Sequence, residues 1–315
     1  MEIQIISGFL GTGKTTFLNK YLPLLPGLTA VVENEFGEVG LDGALLKDDI
    51  PVKELSAGCI CCSLALDLQV GIAEIAERFK PDRIIIEPSG IGKLSDVMLA
   101  CEKANDKVDV DITNRIVLVD ACDCEVFAEE FGQFYSNQIE YANVIFLSNV
   151  QEATNEEMQG ALDTIRGLNS DVIIYEGDFR ELEGEELLAI LEKVEYVKEN
   201  LKDIEDDDMN VMFSPMNQVF SNVTVEDADP MTEEEIRELL KGFVRETFGY
   251  VLRAKGIVPA LGGGYWHFDY TVSKQSYECY EQKDDRINRV IVIGSGLNKR
   301  ALRKYIYSFG DDGDI

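Results

Sequence analysis

The 315-residue sequence predicts an α/β fold, with a mostly parallel sheet that carries helices on both faces, followed by a small α+β domain. In the first part of the chain, apolar runs rich in β-branched residues alternate with helical patterns. These runs are almost wholly apolar, as expected for strands that are buried on both sides. They cover residues 3–6, 30–32, 83–86, 116–119, 144–147 and 172–175.

The pattern changes after residue 200. Up to that point strands and helices alternate, with helical spacing of apolar residues at 66–79 and 183–197. The acidic run at 203–208 then predicts a solvated linker. We therefore expect a first domain at 1–200, a linker at 201–212 and a second domain at 213–315. Predicted strands of the second domain cover 222–225, 250–254, 265–270 and 289–293, and predicted helices begin at Thr232 and at Lys299.

Residues 8–15 form a glycine-rich segment that follows the first strand and opens a helix. Glycines let successive backbone N–H groups turn toward phosphates, while Lys14 reaches the β- and γ-phosphates and the Thr15 hydroxyl ligates Mg²⁺. This is a P-loop, so we expect a P-loop NTPase fold in which the Lys14 side chain is solvated until nucleotide binds. The predicted contacts are Gly8, Gly11, Thr12, Gly13, Lys14, Thr15 and Thr16.

Glu87 ends the apolar run at 83–86 and is followed by a turn that contains Gly90. P-loop proteins place a carboxylate at the tip of such a strand, where it holds Mg²⁺ or its waters. Gly90 is then positioned to offer a backbone N–H to the γ-phosphate. We therefore expect Lys14, Thr15 and Glu87 to be the catalytic residues, with Thr15 and Glu87 at the Mg²⁺.

Cys59, Cys61 and Cys62 place three thiols within four residues. Thiolates are soft ligands that suit Zn²⁺ and other thiophilic ions, and three of them leave a tetrahedral ion one ligand short. Glu33, Glu38, water or a client protein could complete the set. An incomplete set suits a carrier that must release its ion, whereas the alternative is three small apolar residues in a turn. The weaker pair Cys122 and Cys124 is not expected to bind metal.

The charge is strongly acidic, with 59 Asp and Glu against 29 Lys and Arg, a formal net charge of −30. Such a chain repels nucleic acid and anionic membranes, so we expect neither as a partner. The N-terminus enters a predicted strand at once, so we expect no signal peptide, and no apolar stretch approaches the length of a membrane span. We expect a cytoplasmic protein, a monomer or a weak homodimer.

Taken together, these segments resemble the CobW-type GTPases, metal chaperones related to the accessory GTPases of hydrogenase and urease assembly. The matching segments are 7–16, 33–38, 58–62, 119–121 and 138–142. The resemblance implies slow GTP hydrolysis coupled to the binding and delivery of a divalent ion, either Zn²⁺ or Co²⁺, Fe²⁺ or Ni²⁺. The recipient would be a client metalloprotein or a cofactor-assembly protein. It also implies that Cys59, Cys61, Cys62, Glu33 and Glu38 form the metal site between the switch regions.

Residues 148–151 depart from the family pattern, which has Asn-Lys-x-Asp after the fifth strand. Asn149 is kept, but Gln151 stands where the family's aspartate accepts two hydrogen bonds from guanine. Losing that charge-assisted pair costs about 1.5–3 kcal/mol. The sequence therefore leaves guanine specificity open, with Glu152 as a possible substitute reader, and predicts that Gln151→Asp sharpens the preference for GTP about ten-fold.

Two alternatives belong to other functional classes. A P-loop kinase would phosphorylate a small molecule, but it would have no use for the cysteine cluster. A nucleotide-gated sensor would bind the metal and deliver none, and transfer of metal to an apo-client would distinguish it from a chaperone.

Overall fold

A computed structural model describes residues 1–33, 52–54, 63–105, 108–194, 220–272, 274–280 and 288–310. The chain divides into two compact units, Met1–Phe213 and Ser214–Ile315. The predicted linker at 201–212 lies outside the described residues, so the domain boundaries stay a prediction.

The first unit contains a seven-stranded sheet in which every neighbouring pair is parallel. The strands are β1 (Glu2–Gly8), β2 (Thr29–Glu33), β3 (Val52–Glu54), β4 (Arg83–Glu87), β5 (Asp111–Asp120), β6 (Val144–Ser148) and β7 (Ile173–Tyr175). Their spatial order is β3-β2-β4-β1-β5-β6-β7. All six predicted runs are strands, which confirms the parallel sheet. The sequence missed β3 because its three residues include a single apolar one.

Seven helices of the described chain surround this sheet: α1 (Lys14–Tyr21), α2 (Ser63–Phe79), α3 (Leu94–Ala104), α4 (Cys124–Phe131), α5 (Gln133–Glu140), α6 (Asn155–Leu168) and α7 (Gly184–Leu191). Ile84, Ile85 and Ile86 of β4 are all buried. Because successive side chains of a strand point to opposite faces, both faces of the sheet are covered. Phe17 of α1 and Leu187 of α7 pack on the same side as Ile85. The predicted helices on both faces are confirmed.

The strand order fixes where a ligand can bind. β4 and β5 lie on opposite sides of β1, so the order of the strands reverses at this point. In open parallel sheets, ligands bind beyond the carboxyl ends of the strands at such a reversal. The three strands end at Gly8, Glu87 and Asp120, which places these residues at one edge of the sheet.

The second unit contains a five-stranded antiparallel sheet of order β11-β10-β9-β12-β8. Its elements are β8 (Phe220–Glu226), α8 (Glu233–Gly242), β9 (Tyr250–Pro259), β10 (Tyr265–Thr271), β11 (Gln275–Tyr280), β12 (Arg289–Ser295) and α9 (Lys299–Ile306). This confirms the predicted α+β domain. Sequence reasoning missed β11, which is a largely exposed edge strand and contains no apolar run.

Thr232 begins α8 with a capping box, as the sequence predicts. Its hydroxyl accepts from the backbone N–H of Glu235, and the Glu235 carboxylate accepts from the backbone N–H of Thr232. The helix then buries Leu239 against Val258 and Val292 of the sheet. Among the described residues, no helix combines the length and the apolar character needed to cross a membrane.

This packing can be tested at Gly256 on β9, which pairs with Phe268 on β10. A Cβ atom at position 256 would clash with the Phe268 ring. We predict that Gly256→Ala lowers the free energy of unfolding by about 1–3 kcal/mol, because the buried ring has to move. Urea unfolding followed through Trp266, the single tryptophan, reports on this sheet.

The control is Gly262→Ala in the turn between β9 and β10, where an added Cβ meets nothing within 4 Å. Its unfolding midpoint should stay at the wild-type value. Equal midpoints for the two variants would contradict the packing described here.

Candidate functional site

The P-loop segment connects β1 to α1 in conformations that require glycine. Gly8 has φ +148°, and a Cβ atom there would lie 2.5 Å from the carbonyl oxygen of Leu118 and 2.7 Å from Oγ1 of Thr12. Gly11 and Gly13 have φ of 82° and 92°, in the left-handed region. The backbone therefore turns closely past β5 before the helix begins.

The start of α1 is suited to an anion. Gly13 is its N-cap residue and supplies no side-chain acceptor for the first turn. The first backbone N–H groups of a helix have no intrahelical partners and carry partial positive charge. A phosphate placed there satisfies these N–H groups, which is the chemistry expected of this loop.

The Lys14 ammonium lies inside the loop. Lys14 is only 7% exposed, and its Nζ donates to the carbonyl oxygens of Gly8 at 3.0 Å and Phe9 at 3.2 Å. A Cβ atom at Gly90 would lie 3.1 Å from this Nζ. The expectation that Lys14 is solvated is therefore wrong, because the tight turn directs these two carbonyls toward the ammonium group. The structure brings Lys14 close to Gly90, the two residues for which the sequence predicts a role at the γ-phosphate.

Thr15 and Glu87 are also brought together, although they are 72 positions apart. The Thr15 hydroxyl donates to Oε1 of Glu87 at 3.2 Å. The contact arises because β1 and β4 are parallel neighbours, so the segments that follow them meet at one edge. Hydroxyl and carboxylate oxygens are ligands that suit Mg²⁺. These two side chains therefore fit the predicted cation site.

Gln138 of α5 holds the turn that follows β4. It is 1% exposed, and its Nε2 donates to the carbonyl oxygens of Gly90 at 3.2 Å and Gly92 at 3.1 Å. Sequence reasoning noted Gln138 only within the matching segment 138–142 and assigned it no role, because its burial depends on the packing of α5. Gln138 positions Gly90 beside Lys14.

Asp120 orients Asn149 at the next part of the edge. The Asn149 side chain donates to Oδ2 of Asp120 at 2.6 Å, and the backbone N–H of Cys122 donates to Oδ1 at 3.0 Å. Burial, reinforced by the charge of Asp123, raises the pKa of Asp120 to about 6. Above that pH the carboxylate is ionised and accepts both bonds. The sequence signal that could have identified Asp120 is its position as a polar residue directly after the apolar run at 116–119.

Gln151 has two carboxylate partners at this edge of the sheet. Its Nε2 donates to Oδ2 of Asp178 at 3.2 Å and to Oε1 of Glu181 at 3.1 Å. In the sequence, Phe179 lies between these two acidic residues. Its side chain is buried and packs on Phe17 of α1, with ring centroids 5.5 Å apart. The loop after β7 therefore joins the candidate site, which sequence reasoning missed because these residues follow the last apolar run.

The thiols of Cys122 and Cys124 lie near different backbone carbonyl oxygens. The Cys122 thiol lies 3.7 Å from the carbonyl oxygen of Asn149, and the Cys124 thiol lies 3.9 Å from that of Ala161. Burial raises their pKa to about 12 and about 11, so both thiols stay protonated at neutral pH. Within the described ranges, no group of three or more His, Cys, Asp or Glu is arranged to hold a metal ion.

Most of the predicted metal ligands lie outside the part of the chain that the structure describes. Cys59, Cys61, Cys62 and Glu38 lie outside the described residues. Glu33 is the last residue of β2, and its side chain is likewise outside the description.

Comparison with known proteins gives matches along both units. The nucleotide-binding domain model of CobW/HypB/UreG matches residues 2–175, and the C-terminal domain model of the cobalamin synthesis protein CobW matches residues 220–309. The zinc chaperone YeiR of Escherichia coli (strain K12) is 34% identical over 165 residues, which are 50% of this chain and 49% of that protein.

The zinc-regulated GTPase metalloprotein activator 1 of Dictyostelium discoideum is 28% identical over 213 residues, covering 54% of this chain and 44% of that protein. The chain thus spans about half the length of the curated relatives it matches. The crystal structure of the Zn(II)-bound YjiA GTPase from E. coli aligns over 98% of both chains, with 19% identity and a TM-score of 0.42. Because the first domain model alone covers more than half of the sequence, this chain belongs to the CobW/HypB/UreG family.

Proposed function

We propose that this protein binds GTP, hydrolyses it slowly, and uses the cycle to hold and deliver a divalent metal ion in the cytoplasm. The observation that carries the nucleotide part is the contact between Thr15 and Glu87, with Lys14 beside Gly90. Groups that bind phosphate and groups that suit its cation thus converge from two separate segments. The family membership and the names of the relatives support the metal part.

The roles of the loop residues follow from their chemistry. Lys14 would exchange the carbonyls of Gly8 and Phe9 for phosphate oxygens, and the N–H groups that begin α1 would hold the same phosphates. Thr15 and Glu87 would hold Mg²⁺, which supplies positive charge at the β- and γ-phosphates when it is bound.

Hydrolysis needs a water at the γ-phosphate. The water oxygen forms a bond to phosphorus while the bond to the β-phosphate oxygen breaks, leaving GDP and inorganic phosphate. The N–H of Gly90 would donate to the γ-phosphate, and Gln138 keeps Gly90 in place for this contact.

The metal ion is the cargo of the proposed cycle. We assign it to Cys59, Cys61 and Cys62 with Glu33 and Glu38, and the relatives named as zinc chaperones support Zn²⁺ first, then Co²⁺, Fe²⁺ or Ni²⁺. β2 and β3 end at Glu33 and Glu54 on the carboxyl edge that also bears the P-loop. The cysteine segment follows within a few residues, so metal and nucleotide could act on adjoining segments.

The first prediction concerns the phosphate site. Lys14→Ala should reduce affinity for GTP and GDP in Mg²⁺ by about a hundred-fold or more, because the loop loses its charge-assisted bonds to phosphate. Isothermal calorimetry is the measurement.

Because Lys14 also bonds to two loop carbonyls, Lys14→Gln is the matched variant: it keeps a donor near them and removes the charge. It should melt near the wild-type temperature and still bind poorly. Wild-type affinity in either variant would remove the phosphate role of Lys14.

The second prediction concerns the cargo. Under reducing conditions the protein should bind about one Co²⁺ per chain, with a thiolate charge-transfer band in its absorption spectrum. Replacing both Cys61 and Cys62 by Ser should abolish the band. Cys279→Ser is the control, because Cys279 is an exposed thiol of the second unit. A band that survives the double substitution would place the metal elsewhere.

A further inference from the structure

We propose that Glu181, held in place by Gln151, is the residue that reads the guanine base. The base-reading carboxylate would then lie in the loop after β7, and an amide would stand in the loop after β6, where the family pattern has its aspartate. This inference rests on the proposed nucleotide function and adds the specificity-determining residue to it.

The loops that follow β6 and β7 lie beside the candidate phosphate site. β6 and β7 are parallel neighbours, so residues 149–151 and 177–181 emerge at the carboxyl edge of the sheet. The second loop runs beside α1. At the start of the helix, the Phe179 ring lies 3.7 Å from where a Cβ at Gly13 would stand, and in its last turn Lys20 donates to the carbonyl oxygen of Arg180 at 3.0 Å. A nucleotide with its phosphates at α1 therefore has these loops beside it.

The two carboxylates that accept from Gln151 differ in their accessibility. The Asp178 side chain is 7% exposed and accepts from Nε of Arg180 at 2.8 Å and from its backbone N–H at 2.9 Å. These bonds hold the pKa of Asp178 below its usual range. Asp178 thus shapes the loop. Glu181 is exposed, and Gln151 fixes one of its oxygens. Glu181 is therefore the carboxylate accessible to a base.

The hydrogen-bonding groups of the base determine which nucleotide a carboxylate favours. Guanine presents N1–H and the N2 amino group side by side, and one carboxylate accepts from both in charge-assisted hydrogen bonds. Adenine presents a lone pair at N1, which a carboxylate oxygen repels. Hypoxanthine keeps N1–H but lacks the amino group. A carboxylate at this place therefore ranks GTP above ITP and ITP above ATP.

The surroundings of Gln151 reverse the result that the sequence alone predicts for Gln151→Asp. An aspartate there would face Asp178 and Glu181, so three carboxylates would meet and the amide donor would be lost. Repulsion should weaken GTP binding instead of sharpening the preference for GTP. Combining Gln151→Asp with Glu181→Gln restores one amide between two carboxylates.

The test is competition binding of GTP, ITP and ATP to the full chain with Mg²⁺. Glu181→Gln should lower the preference for GTP over ATP about ten-fold or more, from the lost charge-assisted pair. Gln151→Asp should weaken GTP binding, and the double variant should recover most of the preference. Glu185→Gln, an exposed carboxylate in the first turn of α7, is the matched control and should leave the preference unchanged.

The outcomes separate this inference from the proposed function. If the wild type binds no nucleotide, the proposed function fails and the inference fails with it. If the wild type binds GTP and ATP equally well, or if Glu181→Gln leaves the ratio unchanged or weakens both nucleotides alike, only the inference is overturned. A double variant no better than Gln151→Asp alone would also overturn it.

Discussion

The parallel pairing of β1 with β4 on one side and β5 on the other is the constraint on which the candidate site depends. It brings Gly8, Glu87 and Asp120 to one edge from segments that are far apart in sequence. The fit is close enough that a side chain at Gly8 would collide with the backbone of Leu118. The hydrogen bond between Thr15 and Glu87 follows from this pairing.

The electrostatics of the edge depend on the buried Lys14 ammonium and on how the nearby carboxylates are paired. The chain carries a formal charge of −30, yet Lys14 is buried among carbonyl oxygens at the centre of the loop. Farther along the edge, side-chain amides donate to carboxylates: Asn149 donates to Asp120, and Gln151 donates to both Asp178 and Glu181. Under the proposed function, an anionic nucleotide would be attracted at α1, while the end of the site near β7 would favour a base that presents hydrogen-bond donors.

Local patterns predicted much of this architecture and the meeting of Thr15 with Glu87, but they did not predict the partners of Gln151 or the burial of Lys14. Six strands of the parallel sheet, the P-loop and Glu87 were predictable because apolar runs and glycine spacing are local signals. β3 and β11 were not, because one is three residues long and the other is a largely exposed edge. The partners of Gln151 lie 27 and 30 positions away, and the burial of Lys14 depends on the path of the loop. Such contacts are decided by packing.

Coupling between nucleotide and metal is the central claim of the proposed function. The most direct test is the Zn²⁺ affinity of the protein loaded with GTP or with GDP, measured by competition with a zinc indicator. The account predicts affinities that differ by about five-fold or more, with the reciprocal shift in nucleotide affinity when Zn²⁺ is present, because coupling between two sites is mutual. Equal Zn²⁺ affinity in the two nucleotide states would contradict it.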